Sequence, residues 1–237
     1  MSKLFAIGDL HLSFSSDKPM DVFGDNWENH YEKFESNWLN LVSDDDVIYI
    51  PGDISWALKF EDAIPDLEWI HRLPGTKVIL KGNHDLWWNS ISKLRSLWPD
   101  DMKFIQNDSL VFQGKDSEFV LCGSRGWVTP EDKYYVAKDD EKIYNRELQR
   151  LRMSLDSARG KGVDNIILGM HFPPTGGGNK SGFTELIEEY GIKTVIYGHL
   201  HGFEAYKKGI KGNIGNAEYH LVSADYIDFS PKFITEF

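Results

Sequence analysis

The sequence predicts one α/β domain over residues 1–237, built from two sheets faced with helices. Three observations carry this reading. Five short β-branched runs each end in turn chemistry, amphipathic stretches separate them, and no linker, repeat or low-complexity tract divides the chain. A chain of 237 residues buries enough surface for one sizeable core.

In chain order, "KLFAIG" (3–8), "DVIYIP" (46–51), "KVILKG" (77–82), "NIILGM" (165–170) and "KTVIYG" (193–198) are continuous apolar runs of strand length. Such runs read as buried strands. Tyr31, Phe34, Trp38 and Leu41 recur three or four apart, as do Tyr144, Leu148, Leu151, Leu155 and Ala158, which gives each stretch one apolar face. These are covering helices. "SLVFQG" (109–114) and "EFVLCG" (118–123) have the spacing of a hairpin, and residues 217–237 read as two closing strands around a turn. Residues 13–30 form a long polar loop that shapes whatever pocket lies beside it.

Composition narrows the function. A net charge of −11 repels phosphate backbones and argues against a non-specific binder of nucleic-acid polymers. No apolar run approaches the length needed to span a membrane, and the apolar "LFAI" near the start is too short for a signal-peptide core. The single cysteine, Cys122, has no internal disulfide partner and fits apolar packing in a reducing cytoplasm. The expected location is therefore cytoplasmic.

What distinguishes the chain is the placement of its polar residues. The five strand candidates are followed in order by "GDLH", "GD", "GNHD", "HF" and "GHLH", and open α/β sheets collect ligands beyond the carboxyl ends of their strands. Five loops thus deliver Asp9, His11, Asp53, Asn83, His84, Asp85, His171, His199 and His201 to one place, including five of the eight histidines. Imidazole and carboxylate without thiolate suit Zn, Mn, Fe or Ni better than an oxygen-only Ca or Mg cage. One catalytic ion takes about three or four protein ligands. The excess implies two divalent transition-metal ions.

Asp-x-His, Gly-Asp, Gly-Asn-His-Asp, His and Gly-His-x-His, in that order from Asp9 to His201, resemble the calcineurin-like metallophosphoesterase superfamily. "GD" alone is uninformative and "GNHD" moderately specific; the full series is strong. The resemblance implies a four-layer sandwich of two mixed β-sheets flanked by helices, holding a dinuclear centre. It places Asp9, His11, Asp53 and His201 around one ion and Asp53, Asn83, His171 and His199 around the other, with Asp53 bridging. Two such ions acidify a shared water and polarise a phosphoryl group, so the implied activity is hydrolysis of a small phosphoester, mono- or diester. By the same analogy His84 gives a hydrogen bond or proton to the leaving oxygen and Asp85 orients its ring.

Singly, each residue has an ordinary reading: an Asp after a strand caps a helix, and an Asn beside Gly makes a turn. That explanation would have to hold independently at every loop. His30, His71 and His220 fall outside the series and read as surface or structural histidines, His220 being the one expected to be buried. "PPTGGGNKSGFTELI" (173–187) is not a phosphate-binding P-loop, because the required glycines fall on Pro174 and Asn179. It is a loop whose Lys180 is a candidate phosphate contact. Arg125 is another, its planar fork matching two oxygens, with a surface ion pair as its ordinary alternative. Of Trp56, Trp87 and Trp88, at least two should be core residues and one a pocket wall, with Trp87 the candidate. A nuclease of this fold would want a basic groove, and a non-catalytic scaffold would be expected to lack motif residues; the sequence offers neither sign.

Overall fold

The computed structural model describes residues 1–98, 100–178 and 180–237. The five expected strands form: β1 (Lys3–Ala6), β2 (Val47–Ile50), β3 (Thr76–Leu80), β7 (Ile166–Met170) and β8 (Thr194–Tyr197). The hairpin forms as β5 (Ser109–Gln113) and β6 (Glu118–Ser124), paired antiparallel with Ser109 opposite Cys122. Four further strands complete the set among the described residues: β4 (Met102–Ile105), β9 (Gly212–Ile214) and the closing pair β10 (Ala217–Leu221) and β11 (Lys232–Glu236), of which only the closing pair was expected.

These strands make two mixed sheets, in the orders β11-β1-β2-β3-β4 and β5-β6-β7-β8-β10-β9. The closing strands do not share a sheet. β10 lies parallel to β8, whereas β11 crosses to the other sheet and pairs antiparallel with β1. Helices α1 (His30–Leu41), α2 (Phe60–Arg72) and α3 (Ile91–Leu97) connect the strands of the first sheet, while α4 (Ala137–Arg159) and α5 (Gly182–Glu189) connect those of the second; α6 (Phe203–Tyr206) is one turn. The expected helices around 31–41 and 144–158 are α1 and the distal part of α4. The sequence signal missed α2 because Pro65 interrupts it, and α3 because it spans only 7 residues.

The layers follow from strand alternation. In β2, Val47 and Tyr49 point between the sheets while Ile48 and Ile50 point to the helices, so the run is apolar throughout. The middle layer also holds Leu4, Val78, Phe119, Ile167 and Ile196. Phe34, Trp38, Leu67 and Leu94 cover the first sheet, and Tyr144, Leu151, Leu155 and Phe183 cover the second. The result is the expected four-layer sandwich. Residues 13–29 are a loop containing two short 3-10 turns, Asp21–Phe23 and Asp25–Trp27, and His30, expected in the loop, opens α1. Among the described residues, no helix is long and apolar enough to cross a membrane.

β7 packs tightly against β2 across the middle layer, at Gly169 and Tyr49. A Cβ built on Gly169 would run into the Tyr49 ring and hydroxyl. Gly169→Ala should therefore overpack the middle layer and cost about 1–3 kcal/mol. A urea unfolding midpoint equal to that of the parent protein would show that the sheets can part without cost.

Candidate metal centre

Each motif residue sits just past the carboxyl end of a strand. Backbone bonds knit the loops together: Asp9 N–H donates to Gly52 O (3.0 Å), His11 N–H to Asp53 O (3.0 Å) and Gly198 N–H to His171 O (3.1 Å). Four of the residues adopt left-handed backbone, with φ of 59° at Asp9, 47° at His11, 54° at Asp53 and 72° at His199. That region is uncommon for non-glycine residues and is concentrated at functional sites. The glycines preceding the ligands have their own reason. A Cβ on Gly82 would strike the Asp53 carboxylate, and one on Gly198 would strike that of Asp9.

Two clusters of donor atoms result, Asp9, His11 and His201 in one, and Asp53, His171 and His199 in the other. In the first, His201 Nε2 lies 3.5 Å from Asp9 Oδ1 and 3.4 Å from His11 Nε2. In the second, His171 Nε2 lies 3.4 Å from Asp53 Oδ2, 3.2 Å from His199 Nδ1 and 2.7 Å from Asn83 Oδ1. Asp53 Oδ2 is also 3.9 Å from His11 Nε2, so this carboxylate faces both clusters. All seven expected ligands are brought together.

The chemistry of this donor set fits cations. His171 Nδ1 is 2.9 Å from Pro51 O, and a carbonyl only accepts, so the proton sits on Nδ1 and the Nε2 lone pair faces Asn83 Oδ1 and Asp53. His201 Nδ1 likewise donates to Asp225 Oδ1 at 2.9 Å, aiming Nε2 at Asp9 and His11. Such a convergence of lone pairs and carboxylates requires positive charge between them. The titrations say the same. Burial alone would depress every imidazole here and does so for His11, to about 4, and His199, to about 3. At His201 burial is outweighed by hydrogen bonds to Asp225 and Asp9, which push it up to about 10; at His171 burial is outweighed by Asp53, and the ring is raised. Without metal, a proton on His201 offsets part of the carboxylate charge.

His84 belongs to neither cluster. Its backbone N–H donates to Asp53 Oδ1 at 2.8 Å, while its exposed ring lies 4.5 Å from the Trp56 ring and 5.7 Å from that of His11. Asp85 corrects the expectation set for it. Its fully buried carboxylate does not reach the His84 ring but accepts from the N–H groups of Asp53 (2.9 Å), Ile54 (2.8 Å), Ser55 (3.2 Å) and Gly82 (2.7 Å) and from Trp87 Nε1 (3.0 Å). Asp85 therefore fastens the Asp53 loop to the Asn83 loop. Trp87, bound to Asp85 and only 2% exposed, is a core residue and not a pocket wall. Of Trp56, Trp87 and Trp88, Trp56 is the one at the site, stacked on His11 at 4.7 Å.

Arg125 and Lys180 enter neither cluster. The Arg125 guanidinium lies over Trp127 and 3.5 Å from Glu147 Oε1, and Lys180 is exposed just before the Ser181 cap of α5. His30 and His220 are buried and His71, half-buried, lies 3.3 Å from Asp101. Asp225, which fixes His201, was missed by sequence reasoning. Its signal was available: "SAD" follows the β10 run just as the other motifs follow theirs. Beside His199 and His201 opens a cleft of about 710 Å³, walled by Phe172, Pro173, Leu200, Tyr134 and Lys133.

Comparison with known proteins points the same way. Residues 2–203 match the family described as Metallophos, calcineurin-like phosphoesterase. The gene 66 protein of Mycobacterium phage L5 is 33% identical over 85 residues, and this chain spans 41% of that protein's length. An uncharacterised protein of Methanocaldococcus jannaschii, MJ1445, is 24% identical over 168 residues, covering 69% of this chain and 87% of that one. Among solved structures, the phosphopantetheinyl hydrolase of Mycobacterium tuberculosis superposes with a TM-score of 0.60 at 14% identity, over 100% of this chain and 96% of that one.

Two outcomes follow from the geometry. Asp225→Asn should weaken metal binding about 10–100-fold by loosening His201, as loss of a ligand's hydrogen-bond partner typically does; titration with Mn or Zn against a chromogenic chelator measures it, and unchanged affinity would remove Asp225 from the site. Because His201 titrates near 10 in the metal-free protein, its proton must leave when metal binds at pH 7, and affinity must fall as pH falls. Calorimetry in buffers of different ionisation enthalpy should show at least about one proton released per chain.

Proposed function

The chain belongs to the calcineurin-like phosphoesterase family, and from that premise we propose that this metal-dependent phosphoesterase hydrolyses small phosphoesters at two divalent transition-metal ions bridged by Asp53. The observation that supports the reading most is Asp53 itself, a buried carboxylate within 4 Å of histidines from both donor clusters. An anion with two oxygens is the group that can serve two cations at once. Asp9, His11 and His201 would hold one ion, and Asn83, His171 and His199 the other, with Asn83 contributing a neutral oxygen that keeps the pair electrophilic. Ions so held supply Lewis acidity, polarising the phosphoryl oxygens and acidifying water.

The remaining steps belong to the protein. The His84 backbone holds Asp53, while its ring, outside both ligand clusters and braced by Trp56, faces the substrate side. Partial desolvation against Trp56 and His11 holds that ring below the usual imidazole value, so it is uncharged at neutral pH and offers an N–H to the leaving oxygen. The cleft beside His199 and His201 has room for a small leaving group, and its wall is largely apolar. Lys180 remains a candidate phosphate contact. The chain's net charge of −11 weighs against a nuclease needing an extended cationic track. Mn, Fe, Zn and Ni all suit the donor set.

His84→Ala should leave metal content intact and lower kcat on an aryl phosphate by about 10²–10⁴-fold. Asp53→Asn should instead reduce binding of both ions, and a chelator should abolish activity. Elemental analysis of the purified variants beside their turnover decides the matter: a His84→Ala protein that loses metal would make His84 a ligand, and a fully active one would remove it from the chemistry.

A further inference from the structure

Beside the metal centre lies a second cleft, of about 330 Å³, where positive charge collects in an otherwise acidic chain. Lys81, Arg125, Arg146 and Arg150 line it, against one acid, Glu147. Glu147 is 1% exposed, and all three guanidinium groups address the same oxygen, Oε1: Arg150 at 2.7 Å, Arg125 at 3.5 Å and Arg146 at 3.8 Å. One carboxylate balances one of the four cations.

The cleft also holds unused donors. Ser124 is 2% exposed and its Oγ has no partner, nor has the buried Arg125 Nε. A buried donor without an acceptor is costly, and a tetrahedral anion would satisfy both. Its position ties it to catalysis. Lys81 stands two residues before Asn83, and the Arg125 carbonyl accepts from the N–H groups of His171 (3.1 Å) and Phe172 (2.9 Å), so the cleft and the metal centre share one carboxyl edge.

We propose that the Lys81, Ser124, Arg125, Arg146 and Arg150 cleft is a second anion subsite of the active centre, receiving a phosphate group carried by the substrate at a distance from the bond that is cut. The preferred substrates are then bis-phosphorylated small molecules. This rests on the phosphoesterase reading for the bond cleaved, while the cleft itself stands on its own geometry. Surplus positive charge accounts for the dianion, and the planar Arg forks for its several oxygens.

The test has two arms. In the first, inorganic phosphate is titrated by calorimetry into metal-free protein, where no metal ion competes for it and the cleft variants separate binding at the cleft from binding at the protonated His201. Binding is expected, weakened about tenfold or more in Lys81→Gln and in Arg146→Gln, each of which loses a charge-assisted contact. Glu147→Gln should bind more tightly, a gain that misfolding cannot produce. Absence of binding, or variants that bind as the parent does, would overturn the cleft. In the second arm, kcat/KM of the Mn-loaded protein is compared for α,ω-alkanediol bisphosphates and the matching ω-hydroxyalkyl monophosphates. An advantage for bisphosphates at one chain length, collapsing about tenfold in Arg146→Gln, is expected. Phosphate binding without any such advantage would make the cleft a site for free phosphate and overturn the substrate assignment. Binding with no hydrolysis of either series would overturn the phosphoesterase reading and leave the anion cleft standing.

Discussion

Asp85 gathers five N–H donors from two loops onto one buried carboxylate, and the arrangement of the candidate metal ligands depends on it. Its partners are the backbone beyond β2 and the start of the turn beyond β3, the segments that carry Asp53 and Asn83. Burial and the neighbouring Asp53 charge push its carboxyl up to about 6, yet five donors leave no acceptor for a proton. The ionised form is the one the geometry accommodates. Loss of that charge would release four backbone N–H groups inside the protein, where each needs a partner. The His84 N–H completes the lock from the other side by holding Asp53 Oδ1.

The positions of the candidate ligands were legible in the sequence because they follow strands, and strands announce themselves by β-branched runs. Asp9, His11, Asp53, Asn83, His171, His199 and His201 all arrive where the strand-end rule places them. Roles set by side-chain direction were not legible. Asp85 sits next to His84 in sequence yet points to the backbone of a different loop, a choice made by four N–H groups that no local pattern reveals. Trp87 and Trp56 differ in the same way: both flank motif residues, but one donates into the core and the other stacks on His11. In the fold, β4 and α3 were too short to show a period, and the closing strands could be recognised as strands but not assigned to their sheets.

Charge is distributed against the average. The chain carries −11 overall, while the metal centre and the neighbouring basic cleft are the places where an anion finds donors. Such contrast lets a small anion be drawn to one edge of the sandwich while polyanions gain little from the rest of the surface. Phe172, Pro173 and Leu200 wall the cleft beside His199 and His201, so the same edge also offers apolar surface.

The left-handed backbone at Asp9, His11, Asp53 and His199 has an evolutionary consequence. Asp, Asn and His enter that region far more readily than β-branched or bulky residues. Drift at these four positions is thereby confined to a small alphabet, one that contains oxygen and imidazole ligands. A lineage could retune which ion it prefers by exchanging Asp, Asn and His, whereas a change to a β-branched or bulky residue would first have to rebuild the loop. The backbone thus sets the range of metal chemistry open to descendants of this chain before any single ligand is chosen.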